Sequence, residues 1–406
     1  MAPTYQKRVR EENLKKVLRF IHRVGRTSRL TIAREFHLSP ATVTSLVAEL
    51  KRRGLVCENG FGESIGGRKP AILEFNTEWA WVVAAKIGAK RVRVGLANLK
   101  GELKSKIIEP IASLRFEDVV GQIIRMVHSL FESTPHPQIL GMGVCCPGVI
   151  DREKGEVIKA VNLGWQNVPL QKLLAEHFQW PVFVEDGADA GALGEKWFGN
   201  GRDVKNLIYV VLGNGIGAGV ILNGELYTGH QYVAGEFGHA SIDFSGPLCP
   251  CGNRGCLELY ASAPAIVRRV KEAIERGERT IIPSLVEARG ELSGEIITEA
   301  AHLGDALALR VFRETGELLG QAIGNLVSVF DPEMVIIGGG LSLAHPVFFE
   351  TIAETVKHQS LFLHRKPVAV QRAFFGGDSE LVGAAALTVE RIFGARVPTA
   401  EKEGEQ

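Results

Sequence analysis

Residues 235–258 read GEFGHASIDFSGPLCPCGNRGCLE, in which one histidine, His239, is followed by Cys249, Cys251 and Cys256. Three thiolates and one imidazole make a donor set suited to tetrahedral zinc. Four protein ligands close the shell and leave no position for an activated water, so the expected metal is structural, one zinc per chain. Gly252 and Gly255 supply the turns that would fold so short a loop around an ion. The plainer alternative is three buried thiols beside an unrelated histidine. The remaining cysteines, Cys57, Cys145 and Cys146, do not extend the cluster, and in a chain read as cytosolic they predict no disulfide framework. Cys145 and Cys146 are expected to be small packing residues. Glu236 and Glu258 flank the loop, which would set both carboxylates at one cleft; taken singly, each is a solvated surface charge.

Outward from this loop, two stretches of the chain resemble each other. Trp81 to Leu103 reads strand, Gly88, strand, then the turn Gly101-Glu102-Leu103. Leu207 to Leu226 reads strand, Gly213-Asn214-Gly215, strand, then Gly224-Glu225-Leu226. Each predicts a hairpin between apolar strands. Helices are expected at about 116–132 and 260–275, alternating with strands such as Ile139–Val144 and Met334–Ile337. The pattern predicts an α/β body of two related lobes, about 77–195 and 196–393, with a cleft between them. Gly213, Gly215 and Gly217 either bring backbone N–H groups close to a phosphate or sugar hydroxyl, or only supply unusual backbone angles in a tight hairpin.

The N-terminal part reads differently. Leu14, Val17, Leu18, Ile21 and Val24 recur at helical spacing, and Gly25 ends that helix. A short helix fits Leu30 to Phe36. Ser39 then serves as N-cap and Pro40 as first residue of a third helix, running to about Arg53, that buries Val43, Leu46, Val47 and Leu50. Its outer face carries Ala41, Thr42, Thr44, Ser45 and Ala48, small enough to settle in a major groove. Leu55 to Phe61 predicts a strand entering an Asn59-Gly60 hairpin, the wing. This is the pattern of a winged helix-turn-helix over 1–65; a three-helix packing module is the alternative. Candidates for contact with a double-stranded DNA operator are Ser39, Ala41, Thr42, Thr44 and Ser45, with Arg52, Arg53, Arg68 and Lys69 for backbone or minor groove. The segment 66–76 reads as a basic linker, and its Arg68 and Lys69 either enter a minor groove or carry incidental charge.

The 406 residues are too many for one ordinary core, and a net charge of +1 hides an asymmetry. Residues 1–76 hold 15 Lys and Arg against 7 Asp and Glu; the remainder holds 32 against 39. A basic head on an acidic body is the footprint expected when the head alone meets nucleic acid. No apolar run approaches the roughly 20 residues that span a bilayer, and the polar start carries no signal peptide, so the expected location is cytoplasmic, away from membranes. Residues 397–406 read as a polar tail.

Taken together these residues resemble the ROK family of sugar kinases and repressors. Gly235 to His239 with Cys249 to Glu258 is similar to the family's zinc signature, Asn162-Leu163-Gly164-Trp165 to its sugar-contact segment, and Gly143 to Asp151 to its sugar-side loop. The head and the Gly66-Gly67-Arg68-Lys69-Pro70 join resemble the repressor branch, responsive to xylose, N-acetylglucosamine or glucose. The resemblance implies an actin-like, ribonuclease H-like body over 77–396, and a homodimer or homotetramer. It also implies a sugar or sugar phosphate effector held by Asn162, Asp186, Glu236, His239 and Glu258.

Two departures bear on activity. Where the family's kinases read Glu-Asn-Asp-Ala-Asn, this chain reads Glu185-Asp186-Gly187-Ala188-Asp189, so Gly187 stands at the position of the base. A positioned base contributes roughly 10²–10⁴-fold in rate. Asp186 would be a displaced base or, in the family's Asn position, a sugar contact. The first phosphate loop, Asp-x-Gly-Gly-Thr-Lys in the family, reads Lys86-Ile87-Gly88-Ala89-Lys90-Arg91. The second loop at Gly213, Gly215 and Gly217 persists as a vestige, as does Gly338-Gly339-Gly340. The expectation is therefore a sugar-responsive transcriptional repressor of carbohydrate-metabolism genes, not an enzyme. An ATP-dependent sugar kinase with a fused head is the alternative.

Overall fold

The N-terminal helices form where the apolar spacing places them. The computed structural model describes residues 5–62, 69–132, 138–359 and 367–395. In the head, α1 (Tyr5–Val24), α2 (Arg29–Glu35) and α3 (Pro40–Arg52) pack around Leu14, Val17, Leu18, Ile21, Ile32, Val43, Leu46, Val47 and Leu50, all buried. Ser39 caps α3 by accepting from the Thr42 N–H at 3.1 Å, with Pro40 at the first helical position. Three short strands complete the head: β1 (Arg26–Ser28), β2 (Val56–Phe61) and β3 (Ala71–Phe75), in the order β1-β3-β2.

Here the expected wing needs correction. Asn59-Gly60 is not a hairpin turn but an irregularity inside β2, where the register to β3 shifts between Glu58 and Phe61 and Gly60 adopts φ +77°. Gly62 N–H donates to Pro70 O at 2.8 Å, so the pairing of the two strands continues past Asn59-Gly60. Arg68 falls outside the described residues. Ala71–Phe75, expected within a linker, is instead the middle strand of the head sheet.

The head runs into the body without a free tether. Asn76 N–H donates to Leu55 O at 2.9 Å and its Nδ2 to Gly54 O at 3.0 Å. Head residues such as Leu14, Ile21 and Phe75 share one hydrophobic cluster with Val82, Leu193, Phe198, Leu387 and Phe393 of the body.

The body's first lobe holds β4 (Trp81–Ile87), β5 (Arg91–Asn98), β6 (Leu103–Pro110), α4 (Phe116–Glu132) and β7 (Ile139–Cys146). A small sheet follows, of β8 (Val149–Asp151), β9 (Glu156–Ala160) and β10 (Trp165–Val168), then α5 (Leu170–Ala175), β11 (Val182–Asp186) and α6 (Gly187–Trp197). The second lobe begins with β12 (Leu207–Leu212), β13 (Ile216–Leu222) and β14 (Glu225–Tyr227). It continues with α7 (Glu258–Ala261), α8 (Ala263–Glu275), α9 (Ile282–Arg289), α10 (Gly294–His302) and α11 (Ala306–Phe330). It closes with β15 (Met334–Gly338), α12 (Pro346–Gln359), β16 (Ala369–Arg372) and α13 (Ser379–Ala395).

The duplication read by eye is a duplication of topology. The sheets run β6-β5-β4-β7-β11 and β14-β13-β12-β15-β16, each with an antiparallel meander followed by two parallel strands. The division at 195/196 is less clean in space than in sequence. Helix α6 packs on β12 and β13 of the second sheet, while α13 packs on β4 and β7 of the first. The two helices cross in backbone contact: a Cβ on Gly383 would lie 1.9 Å from Ala190 O, and one on Gly194 3.0 Å from Gly383 Cα.

Candidate functional site

The cysteine loop hangs from β13 and α7. Cys249 N–H donates to Asn253 O at 2.7 Å, Gly252 N–H to Cys249 O at 2.9 Å, and Ser241 pairs with Cys256 as an isolated bridge. Gly252 (φ +103°) and Gly255 (φ +63°) both take left-handed angles, and a Cβ on Gly255 would strike Asp243 O at 1.7 Å. This knuckle gathers His239, Cys249, Cys251 and Cys256 so that their ligand atoms lie within 4.8 Å of one another. His239 Nδ1 is 3.7 Å from Cys249 Sγ, and Cys251 Sγ is 3.6 Å from Cys256 Sγ. A tetrahedron with bonds of about 2.0–2.3 Å has edges of about 3.3–3.8 Å, which these two pairs match, so the donor set suits a four-coordinate metal.

The other imidazole nitrogen faces the cleft. His239 Nε2 stands 3.8 Å from Glu236 Oε2. Glu258 lies at the start of α7, where its Oε2 accepts from Ile216 N–H at 3.2 Å; a Cβ on Gly215 would come within 2.6 Å of the same oxygen. Thus Gly215 is glycine to admit a carboxylate. None of Gly213, Gly215 and Gly217 has a positive φ, so the alternative that they supply unusual backbone angles is corrected; Gly215 makes room for the Glu258 carboxylate, whereas a Cβ on Gly213 would meet nothing within 4 Å.

Asp186 reaches the cleft from the first lobe. It caps α6, with Oδ1 accepting from Ala188 N–H at 2.7 Å and Asp189 N–H at 3.4 Å. Burial, and then the charge of Glu236, push its carboxyl up to about 7. Glu236 is itself held above the usual carboxylate range by burial and the neighbouring Glu258. Three acids from both lobes therefore crowd one space, the condition in which hydroxyl donors of a polyol relieve unpaired acceptors. Asn162 sits apart, exposed in a short 3-10 turn between β9 and β10; among the described residues no hydrogen bond ties it to the acids.

Two features were not read from the sequence. Glu185, at the end of β11, is buried against Arg152 in an ion pair, and desolvation raises its carboxyl to about 7. Lys86, at the position expected to be a phosphate-loop acid, makes a buried ion pair with Glu380 in the first turn of α13. A Cβ at Gly187 would stand 3.7 Å from Glu380 Oε1, so this pair adjoins the position expected for a base. Its partners are 294 residues apart in sequence, which no local motif signals.

On the head, Ala41, Thr44, Ser45 and Ala48 are exposed along one face of α3, and Lys69 is exposed beside the wing. Thr42 is half-buried and meets Ser39 Oγ at 2.8 Å, while Thr44 donates back to Pro40 O at 2.8 Å. Arg52 is exposed, 3.7 Å from Glu49 at its nearest approach. Arg53 is half-buried in an ion pair with Glu49, 2.5 Å apart, and so is less available to a phosphate than Arg52.

Among the described residues no helix is long and apolar enough to cross a membrane. Comparison with known proteins places two patterns on the chain: winged helix-turn-helix DNA-binding over 10–56, and the ROK family over 82–391. The chain is 35% identical over 370 residues to a xylose repressor of Caldicellulosiruptor bescii, covering 89% of this chain and 91% of that protein. Its fold is similar to that of a ROK family transcriptional regulator homologous to the E. coli MLC protein, with TM-score 0.80, 29% identity and 95% and 97% of the two chains covered. The body is also similar to a ROK family glucokinase from Streptomyces griseus in complex with glucose and AMPPNP, with TM-score 0.69, 32% identity and 76% and 98% covered.

Proposed function

The chain belongs to the ROK family, and from that premise we propose that it is a DNA-binding repressor whose affinity for an operator is set by a sugar bound in the body. The observation that carries this is the union, in one chain, of a winged helix-turn-helix head and a ROK body, matched along nine-tenths of its length by a xylose repressor. The target genes are those of carbohydrate metabolism, and the effector is a sugar or sugar phosphate. Asp186 from one lobe and Glu236, His239 and Glu258 from the other hold its hydroxyls, with Asn162 at the rim joining when the lobes close. The chain acts in the cytoplasm as a homodimer or homotetramer, so that two α3 helices enter successive major grooves of a near-palindromic site. Thr42, Thr44 and Ser45 face bases; Arg52, Arg68 and Lys69 face the backbone or minor groove.

The metal is zinc, held by His239, Cys249, Cys251 and Cys256. When bound it supplies structure only, because all four positions are protein ligands. Bound there, a metal would hold the His239 imidazole in place and tie Glu236 and Glu258, which flank the ligands in sequence, to one rigid loop.

The chain does not phosphorylate its sugar. Gly187 offers no base, and Lys86, standing where the family's first phosphate loop has an acid, is engaged in an ion pair with Glu380. The deciding experiment measures binding of the full chain to duplexes selected from a randomised library, with and without D-xylose, D-glucose and N-acetylglucosamine. A sugar-dependent change in affinity is expected; unchanged affinity across a broad sugar panel, or ATP consumption on adding sugar, overturns the reading.

A further inference from the structure

We infer that α6 and α13 act as a paired lever carrying the state of the effector cleft to the DNA-binding head within a single chain, ending on an aromatic cluster around His22. The inference rests on the repressor reading above and adds the route by which it works.

Both helices start in the cleft and end at the head. Helix α6 is capped by Asp186, and its last residue is Trp197. Helix α13 opens with Ser379 and Glu380, the latter paired to Lys86 beside Gly187, and carries Phe393 near its other end. At 1.5 Å per residue, 11 and 17 residues span about 16 and 25 Å. At the far ends the His22 ring of α1 lies edge-on to Trp197 at 5.4 Å and to Phe75 at 4.8 Å, with Phe198 at 5.9 Å. Phe75, in the head sheet, meets Phe393 at 5.9 Å. His22 Nε2–H donates to Leu99 O at 2.8 Å, which anchors the ring to the first lobe.

Between their ends the helices have no slack. At Gly383 and Gly194 their backbones touch, so neither can roll without displacing the other. Each is also packed on the sheet of the opposite lobe. A change in lobe angle therefore moves both, and the head, sharing its core with their C-terminal ends, is carried along. The two-state element required for coupling is the crossed pair itself.

The test uses the full chain, a duplex selected by the wild type from a randomised library, and no sugar. Affinity is measured for wild type, Glu380→Gln, Trp197→Ala and the double variant, each checked for folding by its melting curve. Glu380→Gln frees the cleft end of α13 and is expected to change affinity about 5-fold or more, the lower range of allosteric coupling. In the Trp197→Ala background the same substitution should act less than 2-fold, because the lever no longer grips the head. Independent, additive effects, or no effect of Glu380→Gln on the wild type, overturn the inference. If Trp197→Ala does not fold, His22→Phe, which keeps a ring and removes the bond to Leu99, takes its place in the cycle. Failure of the wild type to select any duplex is a separate outcome, seen without a variant, and refutes the repressor reading instead.

Discussion

Placing a carboxylate at Gly187, where the family resemblance leads one to expect a base, tests whether that glycine stands alone or belongs to a rebuilt site. Gly187 is the first residue of α6, and an added Cβ would sit 3.7 Å from Glu380 Oε1, so Gly187→Asp meets no steric bar. The obstacle is electrostatic. With the two carboxylates about 5 Å apart in an effective dielectric of ~20, their repulsion alone is about 3 kcal/mol, and the charge of Lys86, paired to Glu380, lowers it. Part of the rest is returned: an acid at a helix N-terminus gains roughly 0.3–1 kcal/mol, and replacing a helical glycine roughly 0.5–1 kcal/mol. The net expectation is a loss of at most about 1–2 kcal/mol at pH 8. The new carboxyl is held above its unfolded value of roughly 3.9. The penalty is therefore absent below that value and grows as pH rises through the folded one. Urea midpoints of Gly187→Asp and wild type should differ at pH 8 and converge only below about pH 4, and ADP release with D-xylose or D-glucose should stay at background. Equal stability at pH 8, or turnover with either sugar, would refute the reasoning.

Metal analysis should find one zinc per chain, and Cys251→Ser should lose it together with several degrees of melting temperature, since a ligand-bound metal stabilises the fold directly. Glu236→Ala should bind the operator as wild type does yet ignore the sugar, measured as the ratio of affinities with and without it. Because the Asp186 carboxyl is raised to about 7, the wild type loses that group's contribution as pH climbs through 7, so Asp186→Asn should gain in relative melting temperature between pH 6 and pH 8. His22 is held below its ordinary value by burial, so its contribution is complete above about pH 6.5 and falls away under it; a differential acid sensitivity of wild type against His22→Phe reads this out. Replacing Arg52 and Lys69 by Ala should flatten the salt dependence of DNA binding by roughly one unit of slope per lost contact.

The parts legible in sequence were those whose signal is local. Helical spacing with a Ser39-Pro40 cap located α3 and its buried face, and four ligand residues within 18 positions located the metal cluster. The turn of the wing was misplaced because an Asn-Gly pair serves a bulge as readily as a hairpin turn, and only strand pairing distinguishes them. For the glycines of the second loop the sequence left ligand approach and backbone angle both open, because the Glu258 carboxylate that crowds Gly215 comes from a residue more than 40 positions away. Lys86 was visible as a departure, but its partner Glu380 and the whole His22 junction are products of tertiary placement. Charge pairs and aromatic contacts across hundreds of residues leave no periodicity to read.

The continuous core between head and body limits how freely the two can be exchanged. Grafting this head onto another sugar-binding body would strip Phe75 and His22 of their aromatic neighbours Phe393, Trp197 and Phe198. Each fully buried side chain so uncovered forfeits roughly 1.5–3 kcal/mol. A workable chimera must therefore transplant the seam as well as the module, carrying the ends of α6 and α13 with α1. The DNA specificity of such a protein would follow the head, while its responsiveness would follow whether the seam was kept.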